Sequence, residues 1–367
     1  MSRVPILLWQ RGSRLARWSA FLGGTLCALS TAWPQPADPP DEVLPESSRV
    51  GRVRVTCPCC AFEFEALAVA RTNTLAGVDR DLFARALGPQ PVFYLVSACP
   101  RCYYGGYLED FQPGVSLPPD VVSELTGADS PLRPSVPLDA GTPQRDIPAL
   151  VRYELAYECY RRLQRPDEAL AWLCLRAGWV VREESSYPPP AERFERMVTY
   201  ARRWLPPDTP GANLADRELI MCTRLAAAIA ESHFNIYQRP YAELALAMFL
   251  RRHGENAPAE HLLVRLLDQQ ELPGLLTAFA RRMHDSIELE QGWQRRGVRH
   301  LRRALHTRAV APANEPVAVY LLGELHRRLG EPSRAGEFLD RALASPGLPP
   351  ELRAWAEAQK SAALSVR

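Results

Sequence analysis

The sequence predicts an α+β protein that is mostly α: a small zinc-ribbon-like β unit followed by a tetratricopeptide-like α-solenoid. Three observations carry this. Two Cys-Pro-x-Cys pairs each follow a segment of alternating polarity, a proline-dense stretch comes next, and beyond it the apolar period changes from two residues to about 3.6. With 367 residues, 47% of them hydrophobic, the chain is long enough to build several packed layers. A net charge of +2, from 44 basic and 42 acidic residues, leaves no global field to draw in nucleic acid or an anionic membrane.

At the N-terminus, Arg3, Arg11, Arg14 and Arg17 precede an uncharged stretch from Trp18 to Ala37 that is most apolar up to Ala32. Basic flank, apolar run and small residues at Ser30 and Ala32 fit a secretory signal cut after Ala32. Residues 1–32 are therefore expected to be a signal peptide or an N-terminal membrane segment, and 33–49 a Pro-rich spacer. The expected location is exported, periplasmic or membrane-anchored, with a cytoplasmic one as the alternative. Lipidation of Cys27 is rejected because Leu26 precedes it and the apolar run continues past it.

The zinc-ribbon-like domain is expected over 50–112. Val53 and Val55 lead into Cys57, Phe62 and Phe64 alternate with Glu63 and Glu65, and Val92 to Val96 reads as a strand leading into Cys99. Cys57 and Cys60, with Cys99 and Cys102, can converge on one ion. Zinc favours four tetrahedral thiolates at about 2.3 Å, and two short hairpin knuckles supply them with little chain strain. The expected cofactor is structural Zn2+, whose binding energy a thin two-hairpin core would need. Disulfides between the two pairs remain the alternative in an oxidising compartment. Glycine often follows the second cysteine of such a knuckle; Ala61 and Tyr103 stand there instead, which predicts distorted knuckles. Cys59 is left over, pointing away or standing in for Cys60.

Residues 113–147 are expected to be a Pro-rich linker, since their many prolines exclude a continuous helix or an interior strand. The helical domain spans 148–367. Leu150, Tyr153, Ala156, Tyr157 and Tyr160 share one helix face; a turn at Gln164 to Pro166 leads into a second helix with Ala169, Leu170, Leu173 and Ala177 inward. The same plan returns around Gly323, Gly330, Ala335, Leu339 and Ala342, with a spacing that resembles the ~34-residue tetratricopeptide repeat. Helices over 191–204, 214–237, 240–253, 258–269 and 272–308 fill the interval, broken at Pro206, Pro207, Pro210 and Gly211. Cys159, Cys174 and Cys222 read as small core residues, and the seven histidines as solvated or helix-end groups.

The run Gln294 to Arg308 holds Arg295, Arg296, Arg299, Arg302, Arg303 and Arg308 with no acid, opposite an inward stripe of Val298, Leu301 and Leu305. Arg295, Arg299, Arg302 and Arg303 are the candidate partner-binding residues, facing an acidic peptide, a carboxylate terminus or a lipid headgroup. The bland alternative is a solvated helix face.

The chain resembles a bacterial family known as domain of unknown function 2225. The resemblance rests on Val55-Thr56-Cys57-Pro58, Phe62-Glu63-Phe64-Glu65, Asp79-Arg80-Asp81-Leu82, Pro91-Val92-Phe93-Tyr94, and Cys99-Pro100-Arg101-Cys102 with Tyr104-Gly105 and Asp110-Phe111. It continues through Tyr153-Glu154-Leu155-Ala156 to Tyr320 through Gly330, covering most of the chain after Val50. It implies a cysteine-pair unit joined to tetratricopeptide-like helices, and no established activity.

The leading expectation is a metal-stabilised scaffold or adaptor that binds a protein or peptide partner through its helical repeats. One alternative is an exported thiol–disulfide oxidoreductase using the C-x-x-C pairs, although the aromatic, alternating residues after Cys60 do not read as a helix start. A second is a nucleic-acid-binding ribbon, against which six arginines are balanced by six acids between Val50 and Gln112. Tyr103, Tyr104 and Tyr107 could stack bases, but read better as cover for a small metal site. An enzyme is the weaker expectation, because four cysteines close the coordination sphere and no H-E-x-x-H pattern supplies a base.

Overall fold

The structure, a computed structural model, describes residues 47–127, 129–139, 141–188, 192–207, 214–269 and 272–365. The expected leader, 1–32, and most of the spacer after it lie outside the described residues. No helix among the described residues is long and apolar enough to cross a membrane.

The chain is α+β and mostly α. β1 (Arg49–Thr56) and β2 (Glu63–Arg71) pair antiparallel, with Thr56 opposite Glu63 and Val55 opposite Phe64. The period-two pattern of β2 buries Phe64, Ala66 and Ala68 and leaves Glu63 and Glu65 in water. A second antiparallel pair joins β3 (Val96–Ala98) to β4 (Gly105–Tyr107). Between Gln112 and Pro148, the expected linker, lie α1 (Pro119–Thr126) and a 3₁₀ turn at Gln144–Asp146. Leu125, Leu132 and Ile147 from this stretch share one buried cluster with Phe64, Phe111 and the cysteines.

Ten further helices follow: α2 (Ala149–Arg162), α3 (Asp167–Ser186), α4 (Glu192–Arg202), α5 (Leu214–Ala230), α6 (Arg239–Arg252), α7 (Asn256–Gln269), α8 (Gly274–His306), α9 (Glu315–Arg328), α10 (Pro332–Leu343) and α11 (Pro350–Ser365). The segment Val92 to Val96 is not the expected strand. Residues Pro91–Tyr94 form a 3₁₀ turn and only Val96–Ala98 extend. The reason lies on α2, where the fully buried Arg152 donates to the carbonyls of Phe93 and Val96, each at 2.8 Å, and the Tyr153 hydroxyl donates to Val92 O at 2.8 Å. The Val92 and Phe93 carbonyls are thus aimed at the helix and not at a neighbouring strand.

Three helical hairpins share one build. The first helix of each, α2, α6 and α9, has 14 residues and runs into Arg161-Arg162-Leu163-Gln164, Arg251-Arg252-His253-Gly254 or Arg327-Arg328-Leu329-Gly330. The fourth residue of each run is left-handed, with φ of 49°, 70° and 72°. The next residue's N–H returns to the carbonyl five back, Arg165 to Tyr160, Glu255 to Leu250 and Glu331 to His326, each at 2.9 Å. This closes the helix end and turns the chain into its partner helix. Gly323 permits the closest approach in the last pair, for a Cβ there would lie 2.8 Å from Leu339. The 33-residue α8 does not fit the hairpin build; its Trp293, Val298 and Leu301 share the main core with Leu173, Cys174 and Ala177 of α3.

The interior also holds charge. Asp79, Asp81 and Arg85, on the loop after β2, reach between the helices and are at most 5% exposed. Arg85 pairs with Asp79 at 2.8 Å and with Glu183 of α3 at 2.5 Å; Asp81 Oδ2 meets Arg182 at 2.9 Å and Arg328 of α9 at 3.2 Å, and accepts from Trp179 Nε1 at 2.9 Å. Glu290 of α8 takes both Arg182 and Arg251 of α6. His253, expected in solvent or at a helix end, caps α6 but is buried: Nδ1 faces Asp79 at 3.0 Å and Nε2 faces Glu218 of α5 at 2.8 Å. His300 and His326 are likewise buried.

A ring with a carboxylate at each nitrogen needs both protons. Burial alone would lower the His253 pKa, but the hydrogen bonds to Asp79 and Glu218 outweigh it and hold it above the usual 6.5. Its stabilising contribution is thus complete below pH 6.5 and lost as pH rises through the raised folded value. Burial of Asp79 and Glu218 opposes ionisation, yet Arg85 and His253 hold Asp79 well below 3.8, and His253 lowers Glu218 below 4.5, so their contributions are lost in acid. Denaturant titrations from pH 5 to 9 are expected to show the wild type losing stability above pH 6.5 more steeply than His253→Gln. Replacing Asp81 by Ala, which removes the carboxylate shared by two buried guanidinium groups and leaves Arg182 only its longer contacts to Asp79 and Glu290 and Arg328 its bond to Glu324, is expected to cost about 3 kcal/mol in denaturant titration.

Candidate metal centre

Each cysteine pair sits at a hairpin tip, between β1 and β2 or between β3 and β4, and the two tips are built alike. Cys57 N–H donates to Phe62 O and Ala61 N–H to Cys57 O; Cys99 N–H donates to Tyr104 O and Tyr103 N–H to Cys99 O, all at 2.9 Å. The expected distortion is absent. Ala61 and Tyr103 adopt the left-handed conformation a glycine would take, at φ 56° and 60°, at a strain cost of about 1–2 kcal/mol each. The cluster's own bonding must over-determine those two positions.

The tips face each other. Cys57, Cys60, Cys99 and Cys102 bring their four sulfurs within 4.8 Å of one another, and the cross-tip pairs Cys57–Cys102 and Cys60–Cys99 are both 3.6 Å apart. A tetrahedron with metal–sulfur bonds of ~2.3 Å has edges of about 3.8 Å, so the quartet fits a divalent ion with thiolate preference. Hydrogen bonding between the thiols makes them unequal, the bond with Cys102 drawing Cys99 down and that with Cys57 pushing Cys102 up. A cation at the centre would supply the charge that lets all four ionise. Cys59 lies outside the quartet and is buried.

Apolar groups wrap the sulfurs. Phe64 and Tyr104 both pack edge-on against Phe111, with ring centroids 5.6 and 5.5 Å apart. Tyr104 and Tyr107 are buried, which removes them as base-stacking groups; Tyr103 is half-buried. On the far side, Val151, Leu155 and Cys159 of α2 belong to the same cluster. There is no room between the layers at Gly105, where a Cβ would lie 2.6 Å from the backbone nitrogen of Ala156, and the Gly105 N–H donates to Cys159 Sγ at 3.3 Å. Cys159, Cys174 and Cys222 are all buried free thiols.

The chain matches one protein family. Residues 52–206 match DUF2225, described as an uncharacterized protein conserved in bacteria. The DUF2225 match runs from β1 through α4, and so takes in both cysteine pairs, the loop bearing Asp79 and Asp81, and the first helical hairpin. The Tyr320 to Gly330 stretch, which the resemblance also drew on, lies outside it. Neither curated proteins nor solved structures give a match to the chain.

The arginines of α8 separate. Arg299 and Arg303 line a groove of about 720 Å³ between α2 and α8, whereas Arg295, bonded to Gln291 at 3.2 Å, and the exposed Arg302 lie outside its lining. The groove also takes Arg133, Arg161, Arg296 and Trp293, which were not among the candidate partner-binding residues. Arg296 belongs to the same acid-free run and could have been found by helical spacing; Arg133 and Arg161 arrive through tertiary packing alone.

Relieving the strain at one tip tests the knuckle geometry. Ala61→Gly is expected to raise stability by about 0.5–1 kcal/mol in denaturant titration, because release of the left-handed strain exceeds the added freedom of the unfolded chain. Gly105→Ala is expected to lower it by about 1–3 kcal/mol through the clash with α2.

Proposed function

We propose that this protein is a metal-stabilised scaffold or adaptor, holding one structural zinc at Cys57, Cys60, Cys99 and Cys102 and binding a protein partner through its helical hairpins. The observation that carries the reading is the donor set itself: four converging sulfurs wrapped by apolar side chains. Four thiolates complete a tetrahedral sphere and leave no position for a substrate, which is the arrangement of a site that supports a fold. The ion would cross-link two hairpins, one with a ladder of only three residue pairs, at their strained tips, and its binding energy would appear as folding energy. The helices then carry the recognition. Tetratricopeptide-like packing of the hairpins would expose the arginine face of α8 to a partner, and the exposure of Arg295, Arg299, Arg302 and Arg303 supports this.

Elemental analysis of protein purified under reducing conditions without chelator is expected to give one zinc per chain. Chelation, or Cys57→Ser with Cys99→Ser, is expected to lower the melting temperature of the full chain; metal-free protein with two disulfides would remove the proposal. For the adaptor half, Arg299→Gln/Arg302→Gln/Arg303→Gln is expected to abolish a salt-sensitive partner interaction while leaving melting nearly unchanged.

A further inference from the structure

Resting on the adaptor reading, the groove between α2 and α8 narrows what the partner presents. Its walls carry more positive charge than the chain neutralises. Arg161 pairs with Glu158 at 3.1 Å, and Arg303 Nε lies 3.4 Å from Asp167. Arg133, Arg296 and Arg299 have no carboxylate partner among the described residues; Arg296 instead lies over the ring of Trp293, 4.5 Å from its centroid. That stacking holds one guanidinium flat and leaves its edge free for a planar anion. At the base, His300 is fixed, with Nδ1 facing Asp167 at 2.6 Å and Nε2 facing the Tyr157 hydroxyl at 3.0 Å. The floor is thus built and the rim is unsatisfied.

We propose that this groove binds an extended acidic segment of a partner protein, with Asp or Glu carboxylates taken by Arg296, Arg299 and Arg133. Three features favour this over other anions. Arg296, Arg299 and Arg303 stand on successive turns of one helix, about 4.5–6 Å apart along its axis. Alternate side chains of an extended peptide repeat every ~6.7 Å, so neighbouring acids on one face meet neighbouring guanidiniums. On the opposite wall Glu158 is held by Arg161 at 3.1 Å and Glu154 accepts from the Ser135 hydroxyl, so the charge left uncompensated toward an acidic chain is positive. A volume of about 720 Å³ exceeds one small anion.

The test uses the full chain and dye-labelled hexaglutamate, followed by fluorescence anisotropy over a salt series, with hexaglutamine as the control. Hexaglutamate is expected to bind and hexaglutamine not, with binding weakened at least about tenfold by Arg296→Gln/Arg299→Gln and hardly changed by Arg302→Gln, which lies outside the groove. Unchanged melting of the double variant separates lost recognition from lost folding. No binding of hexaglutamate, equal binding by the double variant, or displacement by inorganic phosphate below the hexaglutamate concentration overturns the proposal. Preferential binding to phosphatidylglycerol vesicles, lost in the same double variant, overturns it in favour of a membrane. If hexaglutamate fails while a captured partner still depends on Arg295 and Arg302, the groove assignment falls and the adaptor reading stands; if neither depends on any of these arginines, both fall.

Discussion

Asp81 neutralises two guanidinium groups that have no access to water, Arg182 on α3 and Arg328 on α9. Much of the architecture follows from that compensation. A carboxylate on a loop of the cysteine unit can satisfy arginines on two separate helices only if the unit sits in one position, and Asp79 repeats the demand toward Arg85 and His253. The Tyr320 hydroxyl adds a bond to Arg80 O at 2.9 Å, so the same loop is held by its backbone as well. Burying such groups contributes little net stability relative to apolar packing, but any other docking would withdraw Asp81 from both and leave Arg182 to Glu290 and Arg328 to Glu324 alone. The network therefore acts chiefly against wrong arrangements, and the unit that presents the four thiols inherits its placement from it.

The parts legible in the sequence were those with local causes. The cysteine spacing announced the quartet, because a knuckle needs only six consecutive residues to form. Periodicity marked α2, α3, α9 and α10, and the expected spans of α6, α7 and α8 differ from those found by a few residues at either end. The Arg-Arg-x-Gly pattern at Arg251 and Arg327 is local and legible, whereas the first run ends in Gln164, whose left-handed turn no glycine announces.

What stayed hidden has distant causes. Asp81 and Arg182 are separated by 101 positions, and Asp79 and His253 by 174, so neither pair can be read from composition or period. Asp79-Arg80-Asp81-Leu82 stood out only as a likeness, without a physical reason until its partners were in view. The turn at Pro91 to Tyr94 is set by Arg152 and Tyr153, which draw its carbonyls out of a strand. The proline-dense stretch after Gln112 reads as a linker because proline excludes long regular elements. Leu125, Leu132 and Ile147 decide otherwise, each covering the apolar shell around the sulfurs.

One helix faces both sites. α2 offers Val151, Leu155 and Cys159 to the cysteine unit and Glu154, Tyr157, Glu158 and Arg161 to the groove. It is clamped to β4 at Gly105 with no slack for a methyl group. The two surfaces are thus the inside and outside of a single partition, barely a helix diameter thick. Because one backbone carries both surfaces, and Gly105 leaves it no slack against β4, neither side of the partition can be displaced without carrying the other with it.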